Sequence, residues 1–187
     1  MTEKLVIQWI LTNLGPDIDK ALAEAKAVNP DLLYDKAWLA GMCYRETGFL
    51  VARYVAQGAL PAAIHPLMRG DYSKRAADKE KMYHGFGYWQ IDIDSFPAFV
   101  KSGDWKDPYK TCVKAISVLE GKRKYLEPKF PNLKGDSLLR AITAAYNCGE
   151  GNVQKVLNAG QDIDARTHQH NYSAEVARFA AMAENII

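Results

Sequence analysis

The chain has few cysteines, no long apolar run and no excess of charge of one sign. Its 187 residues include three cysteines, an odd number that leaves at least one thiol unpaired. We expect Cys43, Cys112 and Cys148 to be reduced and buried. No stretch approaches the ~20 apolar residues of a membrane helix, so no membrane insertion is expected. Lys and Arg total 24 against 22 Asp and Glu, a balance that gives no reason to expect nucleic acid as a partner.

The sequence also lacks the cysteine and histidine spacing of a structural metal site. It has no CxxC pair, and only His168 and His170 lie close together among four histidines. Asp92 and Asp94 form a carboxylate pair that could bind calcium, but two carboxylates alone are a weak signal. We therefore expect no metal and no cofactor.

A helical period runs through most of the chain and predicts a mainly α protein. With 48% hydrophobic residues the chain can bury one core, which favours a single domain over 1–187. Within it we expect an N-terminal helical extension at 1–30 and a core at 31–187. Breakers such as Gly15-Pro16 and Asn29-Pro30 separate the elements. The predicted helices lie near 3–13, 16–28, 31–47, 49–57, 108–126, 136–147, 151–158 and 172–185.

Residues 85–94 are the one clearly non-helical patch, because aromatic and β-branched residues alternate there with polar ones. This pattern predicts a small hairpin in which Asp92 and Asp94 share a face. Gly87 allows close approach to a ligand, and Tyr88 offers a flat apolar ring to a sugar. The aromatic rings could instead pack the hairpin onto the helices, and for Trp89 we favour that account. The charged segment 69–81 is interpreted as a solvated loop or helix face, with a lid as the alternative.

Glu46 is a lone carboxylate after an apolar helical run, 37–44, and is followed by Gly48. Burial disfavours the charged form of a carboxyl, and the negative end of a helix acts in the same direction. Both effects predict a raised pKa, as a general acid requires. The alternative is a surface ion pair of Glu46 with Arg45 or another cation.

Three segments, 44–48, 85–92 and 145–153, resemble in order and approximate spacing the goose-type lysozymes and the related soluble lytic transglycosylases. A fourth segment, 168–176, looks like the His-x-x-Tyr region that opens the last helix in the goose-type family. The resemblance spans about residues 31–185. It implies a lysozyme-like fold with a small β-hairpin beside a long buried helix, and a groove for a β-1,4-linked N-acetylated glycan.

The resemblance also implies roles for individual residues. Glu46 matches the general acid that protonates the glycosidic oxygen, and Asp92 matches the carboxylate that holds or activates the attacking water. An inverting enzyme would keep these carboxyls roughly 6.5–9.5 Å apart, or somewhat more. A second water-holding acid has no direct match, and Asp78 and Glu80 are its candidates. The residues expected to bind substrate are Gly87, Tyr88, Gln90, Tyr146, Asn147 and Tyr172.

The implied function is a peptidoglycan muramidase that hydrolyses the β-1,4 bond between N-acetylmuramic acid and N-acetylglucosamine, with Glu46 as acid and Asp92 aiding water. The alternatives are a lytic transglycosylase that forms 1,6-anhydromuramic products, a chitinase on the same scaffold, and a catalytically silent wall-binding module. The expected partner is the peptidoglycan glycan strand, and an inhibitor or immunity protein is a further candidate. We expect the protein to act as a monomer.

The first residues, 1–11, do not read as a signal peptide, because their apolar run is short and is soon followed by Gly15 and Pro16. We therefore expect the protein to stay in the cytoplasm until it is released. Its site of action would be the bacterial cell wall, as for a phage endolysin or a secreted effector.

Overall fold

The computed structural model describes residues 1–72 and 82–187, so Asp78 and Glu80 lie outside the described residues. The fold is mainly α with one small antiparallel sheet, which confirms the predicted lysozyme-like class. The helices are α1 Glu3–Asn13, α2 Gly15–Val28, α3 Lys36–Ala56, α4 Pro61–Ile64, α5 Pro97–Ser102, α6 Pro108–Leu126, α7 Gly135–Cys148, α8 Glu150–Asn158 and α9 Tyr172–Glu184. No helix in these two ranges is long and apolar enough to cross a membrane.

The long helix α3 runs through the core. It packs along α9 on one side and against α1 on another, while α2 packs against α6 and α7 contacts both α6 and α9. Apolar residues of the first two helices, among them Ile10 and Ile18, belong to the same hydrophobic cluster as Leu39 and Met42 of α3. The first thirty residues are therefore part of the main core rather than a separate layer.

Helix α3 continues through Gly48, and the prediction of two helices at 31–47 and 49–57 is wrong. The helix begins only after Asp35, whose side chain caps it by accepting a hydrogen bond from the Trp38 amide at 2.9 Å. A glycine inside a helix costs about 1 kcal/mol, but this one makes room for a ring. A Cβ at Gly48 would lie 2.7 Å from Cδ2 of Tyr44. Glu46 consequently lies within a helix, not at its end.

The sheet has three two-residue strands in the order β1 Arg69–Gly70, β2 Gly85–Phe86 and β3 Ile91–Asp92. The hairpin of β2 and β3 was predicted, and its register pairs Gly85 with Asp92. Strand β1 was not predicted, because it opens a segment whose charges are typical of a loop. It pairs with β2 so that Gly70 faces Gly85.

All three cysteine thiols are free. Cys43 and Cys112 are fully buried, and burial raises the pKa of each thiol. Cys148, at the last position of α7, is only half-buried, so the expectation that all three are buried is wrong for this residue. None of the three is poised as a thiolate nucleophile, because the pKa of Cys148 is also raised by burial.

Helices α3 and α9 lie in close contact at Gly41. A Cβ on this buried glycine would lie 2.7 Å from the backbone nitrogen of Ala180 and 2.9 Å from the carbonyl oxygen of Val176. Both neighbours are backbone atoms of α9, so neither can move without moving the helix. The distance between the two helices therefore requires glycine at position 41.

We expect Gly41→Ala to lower the free energy of unfolding by about 1–3 kcal/mol, because the added methyl group overpacks the contact between α3 and α9. The matched control is Gly121→Ala in α6, where a Cβ meets no atom within 4 Å. Alanine should stabilise that helix by roughly 0.5–1 kcal/mol. Urea unfolding of the three proteins measures both effects, and a Gly41→Ala protein as stable as the native one would contradict the packing argument.

Candidate active site

A cavity of about 260 Å³ lies between α3, the sheet and the carboxyl end of α7. Its lining brings together most of the residues that the sequence singled out. Among the residues that the structure describes, three carboxyl groups face it, on Glu46, Asp71 and Asp92. The remaining lining residues are His84, Gly85, Gln90, Ser95, Lys122, Ala145, Tyr146, Asn147 and Gly149.

Glu46 is half-buried, and its carboxyl accepts a short hydrogen bond from the Tyr172 hydroxyl. Burial raises the pKa of Glu46 to about 7. The Tyr172 hydrogen bond and the Arg45 charge lower this pKa, and the charge of Asp71 raises it. The predicted direction is thus correct, but the predicted contribution of a helix end is not, since Glu46 lies within α3. Near neutral pH a substantial fraction of the carboxyl carries a proton.

Tyr172 is the first residue of α9, and a buried aspartate holds this end of the helix in place. The Asp164 carboxylate accepts hydrogen bonds from the amides of Ser173 at 2.8 Å and Ala174 at 3.0 Å. These amides lie in the first turn, where no carbonyl of the helix can accept from them. Burial would raise the pKa of Asp164, but its hydrogen bonds from Ser173, Ala174 and Thr167 together lower it. Asp164 also pairs with Arg140 of α7 at 3.1 Å.

The role of Asp164 was not predicted from the sequence. The residue lies in a loop outside every recognised motif, eight positions before the tyrosine that it fixes. An aspartate upstream of a helix is a capping signal only within a few residues. Its role follows from the path of the chain, which returns the loop to the amino end of α9.

The Gln90 side chain lies over the sheet, in contact with Gly70 and Gly85. Its side-chain oxygen would be 2.1 Å from a Cβ at Gly70 and 2.5 Å from one at Gly85, so a larger residue at either position would displace the Gln90 amide. Its amide nitrogen donates to the Gly87 carbonyl at 2.9 Å. The backbone of Gln90 itself is left-handed, with φ 49°. These contacts fix the amide in the cavity beside Glu46.

Asp92 follows Gln90 on β3, and its Oδ2 accepts hydrogen bonds from both the amide and the hydroxyl of Ser95, at 3.0 and 2.7 Å. Asp71 lines the same cavity from the opposite edge of the sheet, where it directly follows β1. Its backbone is left-handed, with φ 53°. The sequence reading did not single out Asp71, because β1 itself was missed.

Tyr146 and Asn147, at the end of α7, line the cavity as the resemblance implied. The Tyr146 hydroxyl donates to the carbonyl of Trp89 at 2.6 Å, which ties α7 to the hairpin. The Asn147 side-chain oxygen accepts from the His168 amide at 2.8 Å, which ties it to the loop before α9. Both side chains are held in position from outside the cavity.

Three predicted substrate-binding residues, Gly87, Tyr88 and Tyr172, do not line this cavity, which corrects their expected contact with substrate. The Tyr88 side chain is 1% exposed and donates or accepts a hydrogen bond with His65 Nδ1 at 2.7 Å, on the core side of the hairpin. Gly87 has φ +77°, and a Cβ there would lie 2.5 Å from Cγ2 of Thr111. Its glycine is required by packing against α6. Trp89 is fully buried and donates to the Leu39 carbonyl, in agreement with the packing account.

A larger cavity of about 640 Å³ lies between α2 and α6, and none of the predicted site residues lines it. Its walls combine aliphatic residues, among them the exposed Val28 and Val113, with polar and charged ones. Since Glu46, the carboxyl whose pKa burial raises, lines the smaller cavity, the smaller cavity is the candidate active site.

Comparison with known proteins agrees with the motifs. The chain is 33% identical over 98 residues to lysozyme g of Takifugu rubripes, and the match covers 50% of this chain and 49% of the relative. The chain thus spans about half the length of the curated relative that it matches. No family model matches it. The predicted resemblance to goose-type lysozymes is confirmed at the level of sequence similarity.

The raised pKa of Glu46 makes the stability of the protein depend on pH. The pKa is about 7 in the folded protein and about 4.3 in an unfolded chain. Between these values the unfolded state binds fewer protons, so the free energy of unfolding falls as pH rises. Glu46→Gln abolishes this loss. The free energy of unfolding of Glu46→Gln, relative to that of the native protein, should therefore rise by up to about 3 kcal/mol between pH 4 and pH 8. Urea unfolding at a series of pH values measures this difference.

Glu150→Gln is the matched control for this titration. A hydrogen bond from Lys122 lowers the pKa of Glu150, so its carboxylate stabilises the folded protein at high pH and loses that effect as pH falls. Most of this titration lies below about pH 4.3, the unfolded value, so between pH 4 and pH 8 the trend of Glu150→Gln relative to the native protein should be small and of opposite sign. Equal trends for the two variants would show that Glu46 has no special environment.

Proposed function

We propose that the protein is a lysozyme-type glycoside hydrolase that cleaves the β-1,4 bond between N-acetylmuramic acid and N-acetylglucosamine in peptidoglycan. The observation that carries this proposal is the half-buried Glu46, with a pKa of about 7, sharing one cavity with Asp92. Two carboxyl groups in different environments are what inverting and retaining glycosidases use as acid and as base or nucleophile.

In the proposed reaction Glu46 donates its proton to the glycosidic oxygen as the bond to the anomeric carbon breaks. The Tyr172 hydroxyl then donates to the carboxylate that forms, which stabilises it. Asp92, held by Ser95, accepts a proton from the water that attacks the sugar from the opposite face. This arrangement corresponds to inversion, for which the expected carboxyl separation stays a prediction.

Asp71 is the third carboxyl group at the cavity and fits the part of the second water-holding acid. Its negative charge raises the pKa of Glu46, so the two groups are electrostatically coupled. Asp78 and Glu80, which the sequence offered for this part, lie outside the described residues. Two carboxylates on the water side would orient the nucleophile more firmly than one.

Several side chains would orient the glycan rather than react with it. Gln90 and Asn147 present amide groups at the cavity, and amides can both donate to and accept from the N-acetyl group of a sugar. Lys122 adds a cation at the same cavity. The proposed partner is accordingly the peptidoglycan glycan strand at the bacterial cell wall, met by a monomer and reached after release from the cytoplasm.

The products released from purified peptidoglycan test this proposal. By mass spectrometry we expect fragments that end in reducing N-acetylmuramic acid from the native protein, and a loss of at least about a hundredfold in rate with Glu46→Gln. Asp92→Asn should be similarly impaired, and Asp71→Asn less so. Asp104→Asn, at an exposed pair with Lys110, is the control and should keep the native rate.

The alternative reactions give different products. A lytic transglycosylase would release anhydro products lighter by one water, and Asp92→Asn would barely change its rate, because the sugar's own hydroxyl closes the ring. Either result would overturn the hydrolytic mechanism. Cleavage of unsubstituted N-acetylglucosamine oligomers in preference to peptidoglycan would instead identify a chitinase. Glycan binding without cleavage would identify a silent wall-binding module.

A further inference from the structure

A histidine and two aspartates converge at the open end of the hairpin, beside the candidate active site. The ligand atoms of His84, Asp92 and Asp94 all lie within 4.8 Å of one another. Hairpin pairing produces this cluster, because Gly85 pairs with Asp92 and the Ile93 amide donates to the His84 carbonyl at 2.9 Å. Residues eight to ten positions apart in the sequence are thereby brought to one point.

The chemistry of the three groups differs from that of a solvated acidic patch. The His84 side chain is nearly fully buried, and its Nδ1 lies 3.5 Å from Oδ2 of Asp94. Zinc with ligands at about 2.1 Å in a tetrahedron separates neighbouring ligand atoms by roughly 3.4 Å, so one edge of the site already has that length.

Asp92 is also held as a metal ligand usually is. Its carboxylate accepts hydrogen bonds from the amide and hydroxyl of Ser95, and such outer contacts orient the carboxylate ligands of metal sites. One imidazole and two carboxylates are a donor set for zinc and similar divalent metals. Calcium, by contrast, prefers six to eight oxygen ligands.

We propose that His84, Asp92 and Asp94 form a binding site for a divalent transition metal of the zinc class, and that the bound metal inhibits the enzyme. The inhibitory part rests on the proposed function, because it follows from the use of Asp92 for two purposes. A carboxylate that ligates zinc cannot accept a proton from the attacking water. The metal therefore switches off the water side of the reaction and leaves Glu46 untouched.

The site was not expected from the sequence, which suggested no metal and considered only calcium at the two aspartates. The histidine that changes the donor set comes from β2's side of the hairpin, where spacing alone gives no signal. The cluster shares Asp92 and the lining residue His84 with the cavity, whereas Asp94 lies outside its lining and neither Asp94 nor His84 takes part in the proposed proton transfers.

Isothermal titration with zinc chloride in the absence of glycan tests the site directly. Every protein in this titration carries Cys148→Ser, because cysteine thiolates bind zinc and the Cys148 thiol is free and half-exposed. We expect one zinc per chain, with binding weakened roughly tenfold or more by Asp94→Asn and by His84→Gln. Asp136→Asn, an exposed aspartate at the start of α7, is the control and should bind as the parent does.

Rates of glycan cleavage with and without zinc test the inhibition. Zinc should inhibit the parent and the Asp136→Asn control. Asp94→Asn should keep the basal rate without zinc, and its half-inhibition should require more zinc, by the same factor by which the substitution weakens zinc binding. Absence of zinc binding, binding that Asp94→Asn and His84→Gln leave unchanged, or a preference for calcium would overturn the site. Because binding is measured without glycan, a protein that binds zinc but cleaves nothing would refute the proposed function and leave the site established.

Discussion

The close contact of α3 with α9 is the constraint on which the candidate site depends. Glycine at position 41 lets the two helices approach until a methyl group no longer fits between them. This brings the first residue of α9, Tyr172, to the carboxyl of Glu46 in the middle of α3. The same approach buries that carboxyl, and burial is the main cause of its raised pKa. Helix packing thus sets the protonation state of the proposed acid.

The other half of the site depends on small residues in the sheet. Gly70 and Gly85 face each other across β1 and β2 and leave space for the Gln90 side chain, whose amide a Cβ at either position would displace. The hairpin then carries Asp92 to the cavity on its second strand. In both halves of the site, glycine allows a close contact, between two helices in one case and between the sheet and the Gln90 amide in the other. In both halves a carboxyl group, Glu46 or Asp92, reaches the cavity from the elements in contact.

Much of the fold and part of the site followed from sequence. The period of the helices and the hairpin at 85–94 were predicted because their patterns are local, and the assignment of Glu46 and Tyr172 to one site followed from family resemblance. Helix α3 was divided wrongly at Gly48, because a glycine that serves packing cannot be told locally from one that ends a helix. Asp164 and Asp71 were missed for a related reason: each acts on residues that only the tertiary path brings near. Tyr88 was misjudged because strand alternation does not say which face meets the core.

The most direct test of the account is the titration of Glu46 itself. Carbon-13 NMR of the glutamate carboxyl carbons, with the Glu46 signal assigned by its absence in Glu46→Gln, reports the pKa without substrate. We predict a midpoint near 7, and a higher midpoint in Tyr172→Phe, because the tyrosine hydrogen bond favours the charged form. A midpoint near about 4.3, the ordinary value for glutamate, would contradict the claim that helix packing prepares Glu46 as an acid.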